Sequence, residues 1–368
     1  MKVQELTVAL ADRSYPIRIG AGLLSDPAPL RRAIGGRQVL LLSNTTVAPL
    51  YAAKVEAALA GLRCSTLLLP DGERHKSIES ASLIWQALAE LGAQRNATLI
   101  ALGGGVIGDM GGFAAACWMR GIDFVQIPTT LLAMVDSSVG GKTGVNLAQG
   151  KNLVGAFWQP RLVLADIATL RTLPEREFRA GMAEVVKYGA LGDAEFLAWM
   201  ETNAPGLRQR DEDLVAEAVL RSCQHKAAIV ARDERESGER ALLNFGHTYG
   251  HALETIGQYQ TLLHGEAIAI GMVMAARLSA RLGWADAADA ERLRQLLESL
   301  GLPTARPAEA SPQRMVELMR LDKKSLSDRL RLILWRGVGR AEIADGVDAA
   351  EIEACLAEHP CARSAAKP

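Results

Sequence analysis

Three of the chain's six histidines lie within eighteen residues of one another. His247 and His251, in "NFGHTYGH", are spaced i, i+4 and so share one face of a helix. His264 opens the apolar run "HGEAIAIG". Imidazoles at this spacing suit zinc or another divalent ion. The stretch "GMAEVVKYG" offers a carboxylate, Glu184, with Lys187 one turn further on the same face. Imidazole with carboxylate favours zinc or a similar ion over copper or iron–sulfur chemistry. The same pair also fits a hydrogen-bonded core feature, and spacing does not say which two of the three histidines would bind.

A second constellation is rich in glycine. "ALGGGVIGD" reads G-x-G-x-x-G through Gly103, Gly105 and Gly108, after an apolar run and before a helical pattern. Glycines let backbone N–H groups approach phosphate, and a helix N-terminus favours anions. The acidic ribose ligand expected about 20 residues further on has no clean counterpart, because Asp123 falls in a strand pattern. Taken alone, the loop fits a dinucleotide site and a ligand-free strand–helix turn equally well. Its neighbours shift the balance. "PTTLLAMVDSSVGGKTGVN" follows another strand and gathers Thr129, Thr130, Asp136, Ser137, Ser138 and Lys142 around Gly140 and Gly141, with Arg120 and Lys151 flanking. Hydroxyls, glycines and cations at strand ends are phosphate chemistry. Upstream, "LPDGERHK" adds Asp71, Glu73 and Lys76, which offer the ribose contacts that the loop lacks.

These residues need a scaffold. Short apolar runs at 5–10, 15–19, 38–42, 65–69, 97–102, 123–127 and 162–164 alternate with helical patterns such as 47–59 and 77–91. That alternation predicts a Rossmann-like α/β domain, a parallel sheet with helices on both faces, over 1–166. Helical periodicity at 175–188, 213–231, 242–256, 266–282 and 287–300 predicts a mostly α-helical domain over 167–356. Strands are expected there only at 331–334 and 340–343. Residues 357–368 read as a flexible tail, and the cleft between the domains is the expected ligand site.

The 368 residues favour two domains. With 49% hydrophobic and 23% charged residues, the chain has the composition of a soluble globular protein. Basic and acidic residues number 41 and 42, so no nucleic-acid partner is expected. The apolar run at 267–276 ends at Arg277, too short to span a bilayer, and the N-terminus carries no signal-peptide pattern. Five scattered cysteines fit reduced thiols in the cytoplasm.

The motifs together resemble the 3-dehydroquinate synthase family. The likeness runs in order from about residue 70 to 335. Its segments are "PDGERHKS", "LGGGVIGDMGGF", "RGIDFVQIPTTLLAMVDSSVGGKTGVN", "KNLVGAFWQP", "FRAGMAEVVKYG", "HKAAIVARDERESGERALLNFGHTYGHALE", "HGEAIAIGM" and "DKK". The resemblance implies one divalent metal, zinc or cobalt, on Glu184, His247 and His264. It implies NAD among Asp71, Glu73, Lys76, Gly105, Val106, Ile107, Gly108, Asp109, Thr129, Thr130, Lys142 and Lys151. Asp136 and Lys187 match polar groups at the reacting hydroxyls, and Lys226 and Arg240 match cations for a substrate carboxylate. Arg120, Asn152, Asn244, His251 and the Lys323/Lys324 pair match groups around a phosphate, with Lys324 preferred over Lys323; Lys142 serves the substrate as well. The counterpart of Arg120 reaches across a dimer interface, so a homodimer is implied.

The reaction implied is conversion of 3-deoxy-D-arabino-heptulosonate 7-phosphate to 3-dehydroquinate and phosphate, a lyase step of the shikimate pathway with no net redox change. NAD takes a hydride from C5, phosphate is eliminated, the hydride returns, and ring opening and aldol closure follow. A metal on the C5 oxygen and a nearby lysine favour the developing alkoxide. No dedicated base for the elimination stands out, and in the family the phosphate is proposed to take the proton itself. The rival readings are a sugar-phosphate cyclase of secondary metabolism and a metal-dependent polyol dehydrogenase. The first has no need of both Lys226 and Arg240. The second has no need of the cations Lys142, Lys151 and Lys324 together with Asn152. A non-enzymatic nucleotide-binding protein would have no use for the metal set.

Overall fold

A computed structural model describes residues 3–322 and 329–362. The chain divides into two compact units, 1–174 with 215–235, and 175–214 with 236–368.

The first unit is built on a seven-stranded sheet of β1 (Gln4–Val8), β2 (Tyr15–Gly20), β3 (Gln38–Asn44), β4 (Arg63–Leu69), β5 (Thr98–Gly103), β6 (Asp123–Pro128) and β9 (Leu162–Asp166), in the order β1-β2-β9-β6-β5-β3-β4. Only β1 and β2 pair antiparallel; the other pairings are parallel. Helices α1 (Pro27–Ala33), α2 (Ala48–Ala58), α3 (Ile78–Leu91) and α4 (Gly105–Cys117) connect the strands. Alternate residues of each strand face opposite cores, as the period of two requires. Leu40, Leu42, Leu99 and Ala101 pack with Ile84, Leu88 and Met110 of α3 and α4. Val39, Leu41, Ile100 and Leu102 pack with Leu30, Ala52 and Val55 of α1 and α2. Strands covered on both faces read as continuous apolar runs, which is why they were legible.

Three departures from the expected organisation follow from longer-range structure. The segment 142–157 is an antiparallel hairpin, β7 (Lys142–Leu147) with β8 (Gly150–Phe157), where the sequence reads as a loop. Its glycines and polar residues hide the strand pattern. The expected boundary at residue 166 lies at 174, and the later helix α7 (Glu212–Arg232) groups with the first unit from Val215 onward. Lastly, 357–362 does not behave as a tail. His359 is buried, and the backbone around it pairs with Arg306.

The second unit comprises α5 (Glu175–Gly192), α6 (Ala194–Arg208), α8 (His247–Ile256), α9 (His264–Arg281), α10 (Ala287–Ser299), α11 (Pro312–Asp322), a hairpin of β10 (Arg329–Trp335) and β11 (Ala341–Asp348), and α12 (Ala349–Glu358). Helices α6, α11 and α12 went unrecognised in the sequence. Helix α9 packs against α5, α8, α10 and α12 and is buried nearly all round. A helix apolar on all faces belongs in a core. Among the described residues no helix is long and apolar enough to cross a membrane.

Candidate active site

In the first unit the chemistry gathers at the carboxyl ends of the strands. The sheet order places the reversal of strand order between β3 and β5. Crevices at such reversals are where open α/β sheets take ligands. Ser43 Oγ there donates to the Leu102 carbonyl at 2.8 Å, and Thr129 N to the Gly103 carbonyl at 3.0 Å, so the loops after β3, β5 and β6 share one edge. Helix α4 starts at Gly105, directly after β5. None of Gly103, Gly104, Gly105 and Gly108 has positive φ. Space, not backbone freedom, requires these glycines. A Cβ on Gly103 would stand 2.8 Å from Ile107 Cβ, and one on Gly105 would stand 3.0 Å from Ser137 Oγ. The start of α4 is thereby left as bare backbone, with N–H groups of Gly105, Val106 and Ile107 in its first turn.

The residues expected around a nucleotide are held in a connected network. Asp71, just past β4, accepts from Asn44 Nδ2 and Thr46 Oγ1, each at 2.8 Å. Neither partner was singled out in the sequence, although the polar run "SNTT" at the end of β3 is the signal that marks them. Glu73 accepts from Asn146 Nδ2 at 2.8 Å. Lys76 is buried and donates to Asp109 Oδ2 and to Asn152 Oδ1, both at 2.5 Å. Burial pulls the Lys76 ammonium down, but the charges of Asp109 and Glu73 outweigh it and hold it above its ordinary value. Asn152, expected at a phosphate, is thus engaged with Lys76 and takes a left-handed φ of 55° in β8. Thr129 is buried, and its hydroxyl has no hydrogen-bond partner among the described residues. Thr130 Oγ1 accepts from Ala133 N at 3.2 Å. Lys142 and Lys151 lie on β7 and β8. Arg120 is exposed after α4 and takes a left-handed φ of 69°. Asp136 lies in a π-helical turn, and Lys226 of α7 reaches it. Tyr15 of β2, also unanticipated, accepts from Gly140 N at 3.1 Å and so holds the turn between Asp136 and Lys142.

In the second unit Glu184, His247 and His264 each offer a ligand atom within 4.8 Å of the others. The Nε2 atoms of both histidines lie 3.6 Å from Glu184 Oε1. Glu184 is fully buried; its carboxylate is ion-paired with Lys187, and Oε1 accepts no hydrogen bond from the described residues. A buried carboxylate oxygen facing two imidazole nitrogens is a cation's donor set. The other ring nitrogens are held from behind. His247 Nδ1 lies 3.2 Å from the Phe245 carbonyl and His264 Nδ1 lies 3.4 Å from Glu254 Oε1. Burial, and then the charges of Lys187, His264 and His251, hold the His247 imidazole well below its usual range, so it is neutral near pH 7 with a lone pair to give. These residues fit a divalent ion. His251 stands outside the triad; its ring is edge-on to that of His247, 5.7 Å between centroids.

Close helix approach creates this group. A Cβ on Gly265 would fall 1.8 Å from the Ala180 carbonyl oxygen, so the start of α9 lies directly against α5. Gly246, the N-cap of α8 with φ +80°, would meet Met272 of α9 at 2.7 Å. Glycine at these positions lets three helices bring one side chain each to a point. Nearby, Arg240 is fully buried in the 3-10 turn Glu239–Asn244, and Asn244 Nδ2 donates to Glu236 at 2.8 Å. Lys323 and Lys324 lie outside the described residues.

A mostly parallel α/β unit continued in one chain by a helical unit is the fold this chain shares with the sugar phosphate cyclases. The chain belongs within it to the 3-dehydroquinate synthase family. The models of that family's N-terminal and C-terminal domains match residues 66–180 and 181–325. A 3-dehydroquinate synthase of Xanthomonas campestris pv. campestris (strain 8004) is 58% identical over 353 residues, 94% of this chain and 95% of that protein. Among solved structures, the 2-epi-5-epi-valiolone synthase of Streptomyces hygroscopicus subsp. jinggangensis 5008, with NAD+ and Zn2+ bound, superposes with a TM-score of 0.85 at 32% identity. It covers 95% of this chain and 97% of that one. A 2-deoxy-scyllo-inosose synthase complexed with carbaglucose-6-phosphate, NAD+ and Co2+ gives a TM-score of 0.86 at 26% identity, covering 97% and 100%.

Proposed function

We propose that this chain converts 3-deoxy-D-arabino-heptulosonate 7-phosphate to 3-dehydroquinate and phosphate. The observation that carries the reading is the convergence of Glu184, His247 and His264 around an unpartnered buried carboxylate oxygen, in a chain of this family. Glu184, His247 and His264 hold a divalent ion, zinc or cobalt, and the strand-end network of Asp71, Glu73, Lys76, Asp109, Thr129, Thr130, Lys142 and Lys151 holds NAD at the start of α4. When bound, NAD supplies a hydride acceptor for C5 that gives the hydride back, and the ion supplies Lewis acidity at the C5 oxygen.

The chain's own residues do the rest. Lys187, buried and paired with Glu184, adds fixed positive charge where an alkoxide develops. Lys226 and Arg240 bind the carboxylate, for which the guanidinium fork is suited. Asp136 orients the reacting hydroxyls. Arg120, Lys142, Asn152, Asn244, His251 and Lys324 hold the phosphate. Such local cations explain how a chain of net charge -1 takes a dianionic group. Retention of both Lys226 and Arg240 favours the carboxylated substrate over those of the related cyclases. The protein works as a homodimer in the cytoplasm.

The test is an assay with the heptulosonate phosphate, NAD and zinc or cobalt, following inorganic phosphate and NADH together. Phosphate release without lasting NADH supports the synthase. Steady NADH accumulation or absence of turnover overturns it.

A further inference from the structure

Glu254 is a buried carboxylate on α8 with no part in the reaction derived above. An unpaired buried carboxylate is costly, so its partners define its role. One partner is His264, whose Nδ1 lies 3.4 Å from Glu254 Oε1. With Nδ1–H donating to that oxygen, the neutral ring carries its lone pair on Nε2. That lone pair is on the side of Glu184 Oε1, 3.6 Å away. The two histidines of the triad therefore differ. His247 is oriented by a main-chain carbonyl, Phe245, whereas His264 is oriented by an ionisable side chain from another helix.

The backbone of His264 is fixed separately. Glu266 accepts from Leu263 N at 2.9 Å, just before His264. Arg176 of α5 grips the same Glu266 carboxylate with Nε and Nη2, each at 2.7 Å, and donates to the Thr261 carbonyl at 2.8 Å. The start of α9 is thus anchored to α5, and Glu254 acts on the orientation of the ring that it carries.

We propose that Glu254 is a positioning residue for the metal site: it fixes the tautomer and ring orientation of His264. The proposal rests on the reading of Glu184, His247 and His264 as a metal site. Carboxylate–histidine–metal arrangements of this kind typically change metal affinity by about 10- to 100-fold.

The experiment measures Zn2+ affinity of the metal-free full-length protein by competition with a chromophoric chelator, and the visible spectrum of the Co2+ form. Four proteins are compared: the unaltered chain, Glu254→Ala, Glu254→Gln and Thr255→Ala, an exposed neighbour on the same helix. Circular dichroism checks folding of each. Glu254→Ala is expected to bind Zn2+ about 10- to 100-fold more weakly, with altered Co2+ absorption. Glu254→Gln, which keeps an acceptor without the charge, should fall between. Thr255→Ala should match the unaltered chain. Should Glu254→Ala fail to fold, Glu254→Gln carries the test alone. Folded Glu254 variants that bind within twofold of the unaltered chain, with its Co2+ spectrum, overturn the proposal. Failure of the unaltered chain to bind Zn2+ or Co2+ overturns the metal reading itself.

Discussion

Lys226 Nζ lies 2.7 Å from both the main-chain oxygen and the Oδ1 of Asp136, so two residues ninety positions apart form one polar unit. Lys226 comes from α7 and Asp136 from the π-helical turn after β6, and both belong to the first compact unit. The tether holds the ammonium in place beside the turn that carries Asp136. Lys226→Ala should raise KM for the carboxylated substrate by about 10- to 100-fold, the loss of one charge-assisted contact of about 1.5–3 kcal/mol. Arg240→Ala should act in the same direction. Steady-state kinetics and metal analysis check both; unchanged KM with unchanged metal content would remove the assigned role.

The Lys76–Asp109 ion pair makes a separate prediction. Lys76 is buried, whereas Asp109 is 18% exposed, so breaking the pair should cost somewhat less than a fully buried one. Lys76→Met is expected to lower the denaturant stability by about 2–3 kcal/mol and to weaken NAD binding. Combining it with Asp109→Asn should recover part of the stability, because the uncompensated charge is gone. A double variant no more stable than the single one would show that the pair is not energetically coupled.

Gly265→Ala should damage the metal group without touching a ligand. The added Cβ would meet the Ala180 carbonyl oxygen at 1.8 Å, and backbone cannot yield as a flexible side chain does. Helix α9 must then move from α5 and carry His264 with it. The expected result is a stability loss of about 1–3 kcal/mol, together with reduced zinc content after dialysis. Unaltered Tm and zinc content would show that the helices accommodate the methyl group.

His359 predicts how stability responds to acid. Its Nε2 donates to the Thr304 carbonyl at 2.9 Å, and burial lowers the imidazole to about 4, with Arg277 and Arg306 pressing the same way. The folded-state pKa lies below the unfolded value, so the unfolded chain binds the proton first. Stability from this residue is present above about 6.5 and is lost as pH falls towards 4, roughly 3 kcal/mol in all. His359→Gln should flatten the pH dependence of Tm over that window. A variant with the same slope as the unaltered chain would move the acid sensitivity to other groups.

Much of the molecule was legible in the sequence because its signals are local. Fully covered strands show as apolar runs, and all the strands of the large sheet were found within a few residues of their ends. The near spacing of His247, His251 and His264, with Glu184 as a carboxylate, indicated a metal, but the helical period alone paired His247 with His251. Only the packing of α9 on α5 and α8, through Gly265 and Gly246, joins His247 with His264 and Glu184 and leaves His251 outside the group. Similarly, glycine in "ALGGGVIGD" reads as a strand–helix turn, whereas the room it makes beside Ile107 and Ser137 is a property of what stands opposite. The partners of Asp71, Lys76 and Lys226, the hairpin at 142–157 and the grouping of α7 with the first unit likewise depend on residues far away in sequence. Residue type and periodicity thus determined which chemistry this protein carries and the elements that bear it. Tertiary structure decided which groups share a charge, a proton or a cation, because those interactions act over a few ångströms of space and are blind to distance along the chain.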